Sequence, residues 1–225
     1  SCKTTERKAK AAEKEFHQSL KNLHTDWFDV YQLHSLTTPE DIETAFGPGG
    51  TLEMVLKYKD QGLVKKIGFS AHSERAALEA LKRYPFDTVM FPVNYLLHMG
   101  QGIGSELLRA KEEQGFGLLA IKAMVERAWL TDTEQGQSPW PKSWCKPFDS
   151  GEVDARLAGM RYAFHLGADA LIPPGNWEYQ SFMNDHVEQA VDTAYGQQDE
   201  ALLTARFEQM KDHPFFDKNN GNWPA

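Results

Sequence analysis

The chain has 225 residues, 41% of them hydrophobic, which is enough to bury one large core or two modest ones. Its net charge of -8 describes an acidic surface, which argues against non-specific binding to nucleic acid or to anionic membranes but not against a small anionic cofactor. No apolar run approaches the roughly 18 residues that a membrane helix needs. Cys2 and Cys145, with no Cys-x-x-Cys pair, predict free thiols in a reducing, cytoplasmic setting. The eight histidines show neither His-Glu-x-x-His nor His-x-His spacing, so no metal site is expected. The first residues carry neither a signal peptide nor a start methionine, and the sequence reads as if entered midway through a domain.

In chain order, Ala9, Ala12, Phe16 and Leu20 recur near helical period and predict a helix over residues 5–23, followed by a turn at 22–26. Residues 27–34, Trp-Phe-Asp-Val-Tyr-Gln-Leu-His, are apolar, aromatic and free of Gly and Pro, which suits a buried strand. Alternation puts Val30, Gln32 and His34 on one face and Tyr31 and Leu33 on the other. Pro39 and Glu40 open a predicted loop, punctuated by Gly47-Pro48-Gly49-Gly50. Thr51 is the predicted cap of a helix carrying Leu52, Val55, Leu56 and Tyr58, which stops near Gly62. Residues 63–70 predict a strand, 73–83 a helix and 88–93 a third strand. A Gly-rich loop leads to a helix at 105–113, a strand at 116–124 and a long Trp- and Pro-rich loop at 127–149. A helix at 152–165 and a fifth short strand at 169–173 follow, then mostly helix to about Met210. Asn219 to Ala225 are expected to fray.

Five strands alternating with helices, and no hairpin signal, predict a parallel α/β chain. Periodicity alone leaves a barrel and a doubly wound sheet both open. Gly100-x-Gly102-x-Gly104 lacks the third-glycine spacing and the acidic partner of a dinucleotide fingerprint. Polar residues fall at strand ends: His34, Ser70, Lys122 and the Pro173-Pro174-Gly175 turn, with Lys3 placed as a further strand end would be. Each has a plainer reading. Lys3 is an exposed terminal lysine, Ser70 a helix cap, and the turn only a turn. Lys122, inside the apolar run Leu-Leu-Ala-Ile-Lys-Ala-Met, must find an anion or reach solvent.

These residues carry a resemblance to the aldo-keto reductase family that covers nearly the whole sequence. Ser1-Cys2-Lys3-Thr4 resembles the end of the family's third barrel strand, and Asp29 to His34 its fourth-strand Asp-x-x-x-x-His motif. Ile67-Gly68-Phe69-Ser70 is similar to the fifth-strand Ile-Gly-x-Ser motif; residues 87–94, 119–124 and 171–175 resemble strands six to eight. The resemblance implies a (β/α)8 TIM barrel, here incomplete: the end of strand three, strands four to eight and C-terminal helices. Residues 1–198 are expected to form the partial barrel and 199–225 a helical extension and tail.

The implied activity is reduction of an aldehyde or ketone to an alcohol by NADP or NAD, with a small-molecule carbonyl substrate. In the family a tyrosine protonates the oxygen, a lysine lowers the tyrosine's pKa, an aspartate pairs with the lysine, and a histidine bonds the substrate oxygen. Carried over, Lys3 takes the lysine role and His34 the histidine role. The tyrosine and aspartate fall before the matched region, so this chain alone is not expected to reduce carbonyls, and the exposed edge of an incomplete barrel predicts poor solubility or association. Ser70 matches a contact to the nicotinamide carboxamide, beside Ala71 and Met90 where members carry Asn and Gln. Lys122 matches a pyrophosphate contact. Pro174, Gly175, Asn176, Gln180 and Asn184 match the adenosine end, without the Lys and Arg that select a 2′-phosphate; NADP against NAD stays open. The loop at 140–148 either lines a substrate pocket with Trp140, Trp144 and Cys145 or packs over the rim. Residues 199–225 either cover the barrel mouth or mediate association. Two rival readings are a non-catalytic nicotinamide-binding or regulatory barrel subunit, and a lyase or isomerase barrel with similar strand ends.

Overall fold

A computed structural model describes residues 1–216; the tail expected to fray lies outside the described residues. β1 (Cys2–Thr4) leads to α1 (Ala9–Leu23), and β2 (Phe28–Leu33) returns parallel to β1 with Lys3 opposite Gln32. α1 begins at Ala9 rather than at residue 5. Lys8 is extended and bridges Gly50, and the Ala9 N–H donates to Gly49 O, so another segment holds this backbone. α1 buries Ala12 and Phe16. The Phe16 ring stacks on Tyr58 at 4.5 Å and meets Phe28 and Tyr31 edge-on at 5.3 and 5.0 Å. Such ring contacts each add about 0.5–1.5 kcal/mol beyond the area they bury.

The stretch expected to be a loop is a helix, α2 (Pro39–Phe46). Thr38 Oγ1 accepts from the Asp41 N–H at 3.1 Å and the Asp41 carboxylate accepts from the Thr38 N–H, closing a capping box. Pro39 occupies the first turn, where its missing N–H costs no hydrogen bond. α3 (Thr51–Asp60) is capped by Gly50 rather than by Thr51, whose hydroxyl donates to Glu6 O at 2.6 Å. β3 (Val64–Ser70), α4 (Glu74–Arg83) and β4 (Thr88–Pro92) follow, with Ser73 capping α4 through the Ala76 N–H. Gln32, Gly68 and Thr88 lie in one register row across β2, β3 and β4. A Cβ at position 68 would sit 2.2 Å from Thr88 Oγ1 and 2.9 Å from Thr88 O, so only glycine fits there. Residues 1–91 and 109–117 form one compact unit.

The second unit comprises, among the described residues, 92–108 and 118–216. Three corrections to the expected elements fall in or beside it. The Gly-rich segment opens with a helix, α5 (Tyr95–Gln101), capped by the Asn94 side chain and ended by Gly102 in the left-handed region at φ 64°. After α6 (Ser105–Gln114), the expected strand at 116–124 divides into β5 (Gly117–Ile121) and, past a turn, β6 (Val125–Arg127). The long loop holds α7 (Asp132–Gln137) and β7 (Lys146–Pro147), and β7 pairs antiparallel with β6. A pairing this short leaves too little alternation to read from sequence. α8 (Val153–His165), β8 (Ala170–Ile172), α9 (Trp177–Asp192) and α10 (Gln197–Met210) complete the described chain. Tyr95, Leu96, Phe148, Ala158, Tyr162 and Leu203 form a core of this unit, so α10 packs as part of it. Buried Glu126 pairs with Lys146 and Arg206, each at 2.7 Å, and Arg206 also reaches Glu152.

In the first unit β1, β2, β3 and β4 pair in that order, in the second β5 pairs with β8, and every register resolved is parallel. β1 enters the sheet as the resemblance implied. No described helix is long and apolar enough to cross a membrane.

Candidate active site

Parallel pairing brings side chains of one register row to one face. Lys3 stands opposite Gln32, and Leu33 opposite Phe69, so His34 and Ser70 stand together one step further along. Lys3 Nζ lies 3.3 Å from His34 Nε2, and Ser70 Oγ 2.8 Å from His34 Nδ1. The Ser35 N–H also donates to Ser70 Oγ at 2.8 Å. Counting donors assigns the ring. An ammonium only donates, so Nε2 accepts from Lys3 and the proton sits on Nδ1. Nδ1–H then donates to Ser70 Oγ, which takes the Ser35 N–H on its second lone pair. Burial, followed by the positive charges of Lys3 and Arg7, lowers the His34 pKa below its ordinary 6.5, which keeps the imidazole neutral at pH 7.

Two further residues complete the site, and the sequence had not marked them. Arg7 donates through Nη1 to His34 O at 2.9 Å, through Nη2 to Ser35 O at 2.7 Å and through Nε to Asp41 Oδ1 at 2.9 Å. Burial would raise the Asp41 pKa, but Arg7 and the Thr37 donors outweigh it and hold the carboxyl at about 2. Ser35 has φ 56°, in the left-handed region that non-glycine residues seldom enter. In sequence Arg7 is one charge among many at the start of a helical pattern. Only Ser35, with Asn and Asp absent from positions 35–38, offered any turn signal, and a weak one.

The remaining candidates lie in the second unit. Lys122 follows β5 at φ 73°, and its carbonyl accepts from Asn94 Nδ2 at 2.9 Å and from the Val125 N–H at 3.0 Å. Burial raises the Cys145 thiol pKa, and Lys122 works against that shift. Trp140 is buried and edge-on to Tyr179 at 5.4 Å, whereas Trp144 is 85% exposed. Asn176 caps α9 by accepting from the Tyr179 N–H at 3.0 Å, and its own N–H donates to Pro174 O at 2.7 Å. A side chain at Gly175 would meet no atom within 4 Å. Gln180 donates to Asn184, one helical turn on, at 2.9 Å. The structure therefore gathers Lys3, His34 and Ser70 at one place, and gathers Pro174, Gly175, Asn176, Gln180 and Asn184 around the start of α9. Among the described residues there is no cluster of three or more His, Cys, Asp or Glu that would hold a metal ion.

Comparison with known proteins defines the class. Residues 3–167 match the model of the Aldo/keto reductase family, and the chain belongs to that family. The fold is likewise that of aldo-keto reductases. The apo form of aldo-keto reductase AKR11C1 from Bacillus halodurans superposes with a TM-score of 0.61 at 16% identity, over 98% of this chain and 73% of that one. MGS-M4, an aldo-keto reductase from a Medee basin deep-sea metagenome library, gives 0.61 at 14% identity over 97% and 73%. The glycerol dehydrogenase AKR11B4 from Gluconobacter oxydans gives 0.56 at 16% over 91% and 65%. A putative aldo-keto reductase of Pseudomonas origin gives 0.56 at 18% identity, and the chain spans 60% of its length. No curated protein matches. The parallel strands and helices described above thus correspond to the strands of (β/α)8 barrels, and family membership makes this chain an oxidoreductase by descent.

Proposed function

We propose that this chain carries the lysine–histidine end of a carbonyl-reducing site, which turns an aldehyde or ketone into an alcohol with NADP or NAD. The observation that supports the reading is the 3.3 Å approach of Lys3 Nζ to His34 Nε2 at the carboxyl ends of neighbouring parallel strands. When bound, the nicotinamide supplies hydride to the carbonyl carbon. Lys3 offers a charge-assisted donor to the oxygen as negative charge gathers there. Ser70 keeps the imidazole supported in either tautomer: Oγ accepts from Nδ1–H, or its hydroxyl donates to a bare Nδ1 when the proton sits on Nε2. His34 can then present a donor to the substrate oxygen without losing its partner.

The open space beside Gly175 at the start of α9 supports a place there for the adenosine end of a dinucleotide. In this reading Ser70 meets the carboxamide, Lys122 the pyrophosphate, and Pro174, Gly175, Asn176, Gln180 and Asn184 the adenosine. No Lys or Arg stands between positions 174 and 184, so a 2′-phosphate gains no ion pair there. Residues 1–225 supply no tyrosine or aspartate at matched positions, and on this reading they bind cofactor without turning it over. Retention of both Lys3 and His34 favours the reductase over the second reading, a non-catalytic nicotinamide-binding or regulatory subunit.

Tryptophan fluorescence titrated with NADH and NADPH, alongside cofactor oxidation with aldehydes and ketones, tests both. Residues 1–225 are expected to bind without turnover, and the longer protein that this reading implies to reduce carbonyls. In that protein His34→Ala should lower kcat by about 100-fold or more, the usual span for losing a positioned acid–base group. Undiminished kcat would remove His34 from the mechanism; binding without turnover in the longer protein would favour the regulatory reading.

A further inference from the structure

We infer that Arg7 is a positioning residue for His34, a role that rests on the reading of Lys3 and His34 given above. Arg7 touches neither ring nitrogen. It acts through the backbone that carries the ring.

Every polar backbone group from His34 to Leu36 that bears on the ring has a fixed partner. The His34 N–H donates to Thr4 O at 2.8 Å, the Ser35 N–H to Ser70 Oγ at 2.8 Å and the Leu36 N–H to Ser70 O at 2.9 Å. The left-handed turn at Ser35 is what brings its N–H onto Ser70 Oγ. It also leaves the carbonyls of His34 and Ser35 close enough for one guanidinium to serve both. Two such oxygens side by side repel, and the planar fork of Arg7 spans them at 2.9 and 2.7 Å. Asp41 fixes the third edge of the fork at 2.9 Å, and Asp41 is itself held by the Thr37 and Thr38 N–H groups at 3.0 and 3.1 Å. The capping box of α2 thus anchors Arg7, Arg7 anchors the strained turn, and the turn sets the Ser70 oxygen against Nδ1.

Loss of the fork leaves two carbonyls without a cation and lets Ser35 relax towards negative φ. Its N–H then leaves Ser70 Oγ. The serine oxygen can rotate, and the ring loses the partner that fixes its plane beside Lys3 in either tautomer and, in the resting chain, its proton on Nδ1. A lysine at position 7 restores the charge but reaches one carbonyl at a time, so it should restore part of the effect.

The test reads the ring directly, in residues 1–225, by long-range 1H–15N correlation of the His34 imidazole at pH 7.5. The wild-type chain should show a bare Nε2 and a protonated Nδ1. Arg7→Met should shift both nitrogens towards the averaged values of an unconstrained ring, with the His98 signals unmoved as a control for folding. Arg7→Lys should fall between. Asp41→Asn, which keeps a capping oxygen but removes the carboxylate charge facing Arg7 Nε, gives a second reading if Arg7→Met does not fold, and should shift the ring in the same sense. His34 signals identical to wild type in whichever of Arg7→Met and Asp41→Asn folds would overturn the inference. In the longer protein Arg7→Met should lower kcat about tenfold with cofactor KM unchanged; an altered KM alone would assign Arg7 to binding instead. The two readings fail separately. A neutral His34→Ala with a shifted ring in Arg7→Met sinks the catalytic role and leaves the positioning intact. An impaired His34→Ala with an unmoved ring does the reverse.

Discussion

Two half-buried histidines are kept neutral by the same cause in different company. His34 faces Lys3 and Ser70, and His98 Nδ1 meets Tyr162 OH at 2.8 Å; in both, burial leads the lowering of the pKa below 6.5. A base whose folded pKa lies below its unfolded value binds fewer protons in the native state. Its stabilising contribution is complete above pH 6.5 and is lost as pH falls through the folded value. The melting temperature of residues 1–225 should therefore drop between pH 7 and pH 5, and His98→Gln should flatten that slope without abolishing it, because His34 still titrates. A pH-independent melt over this range would contradict the assignment. His34 was legible in the sequence because alternation and strand end both marked it. Arg7 was not, because its reach to residues 34 and 35 depends on a left-handed turn that serine rarely makes and that no spacing encodes.

Among the elements, the strands were legible and the short helices were not. β2, β3, β4, β5 and β8 fall within the expected strands, each trimmed at its ends. Just ahead of β4 and of β8 stands an aspartate. Asp87 accepts the Ile67 N–H at 2.8 Å and returns its own N–H to Ile67 O at 2.9 Å. Asp169 does the same to Leu118, at 2.6 and 2.9 Å. Each clamp holds both polar groups of one residue on the neighbouring strand, at the amino end of the pair. Asp87→Ala and Asp169→Ala should each cost about 1–3 kcal/mol by leaving a strand N–H unpaired, measured by urea unfolding. A loss below about 0.3 kcal/mol would show that water replaces the carboxylate. α2 and α5 were missed because proline and glycine dominated the reading. Pro39 starts a helix where it was taken to prevent one, and Gly102 ends one where it was taken for loop.

The whole molecule divides into two compact units, a partition the sequence did not announce. Its helices pack on parallel strands in both, but charge sets them apart: the first unit carries as many Lys and Arg as Asp and Glu, so the whole net charge of -8 falls in the second. What the sequence did carry at this scale was strand order, through motifs at strand ends rather than through periodicity; the match over residues 3–167 rests on the same stretch. β1 has a paired neighbour in β2 and β8 in β5, and each is three residues long. Unpaired edges of parallel strands template further pairing. We expect residues 1–225 to self-associate, checked by light scattering behind size-exclusion chromatography; a monodisperse monomer would refute this.

The aspartate fastenings separate two tasks along the length of each strand. Register is secured at one end by groups that never meet a reactant, so the opposite rim can be rebuilt without unthreading the staves. A library that randomises positions 175 and 177, which are open or exposed, while sparing Asp87 and Asp169 should give a far higher proportion of folded variants than one that spares the rim and randomises those two aspartates.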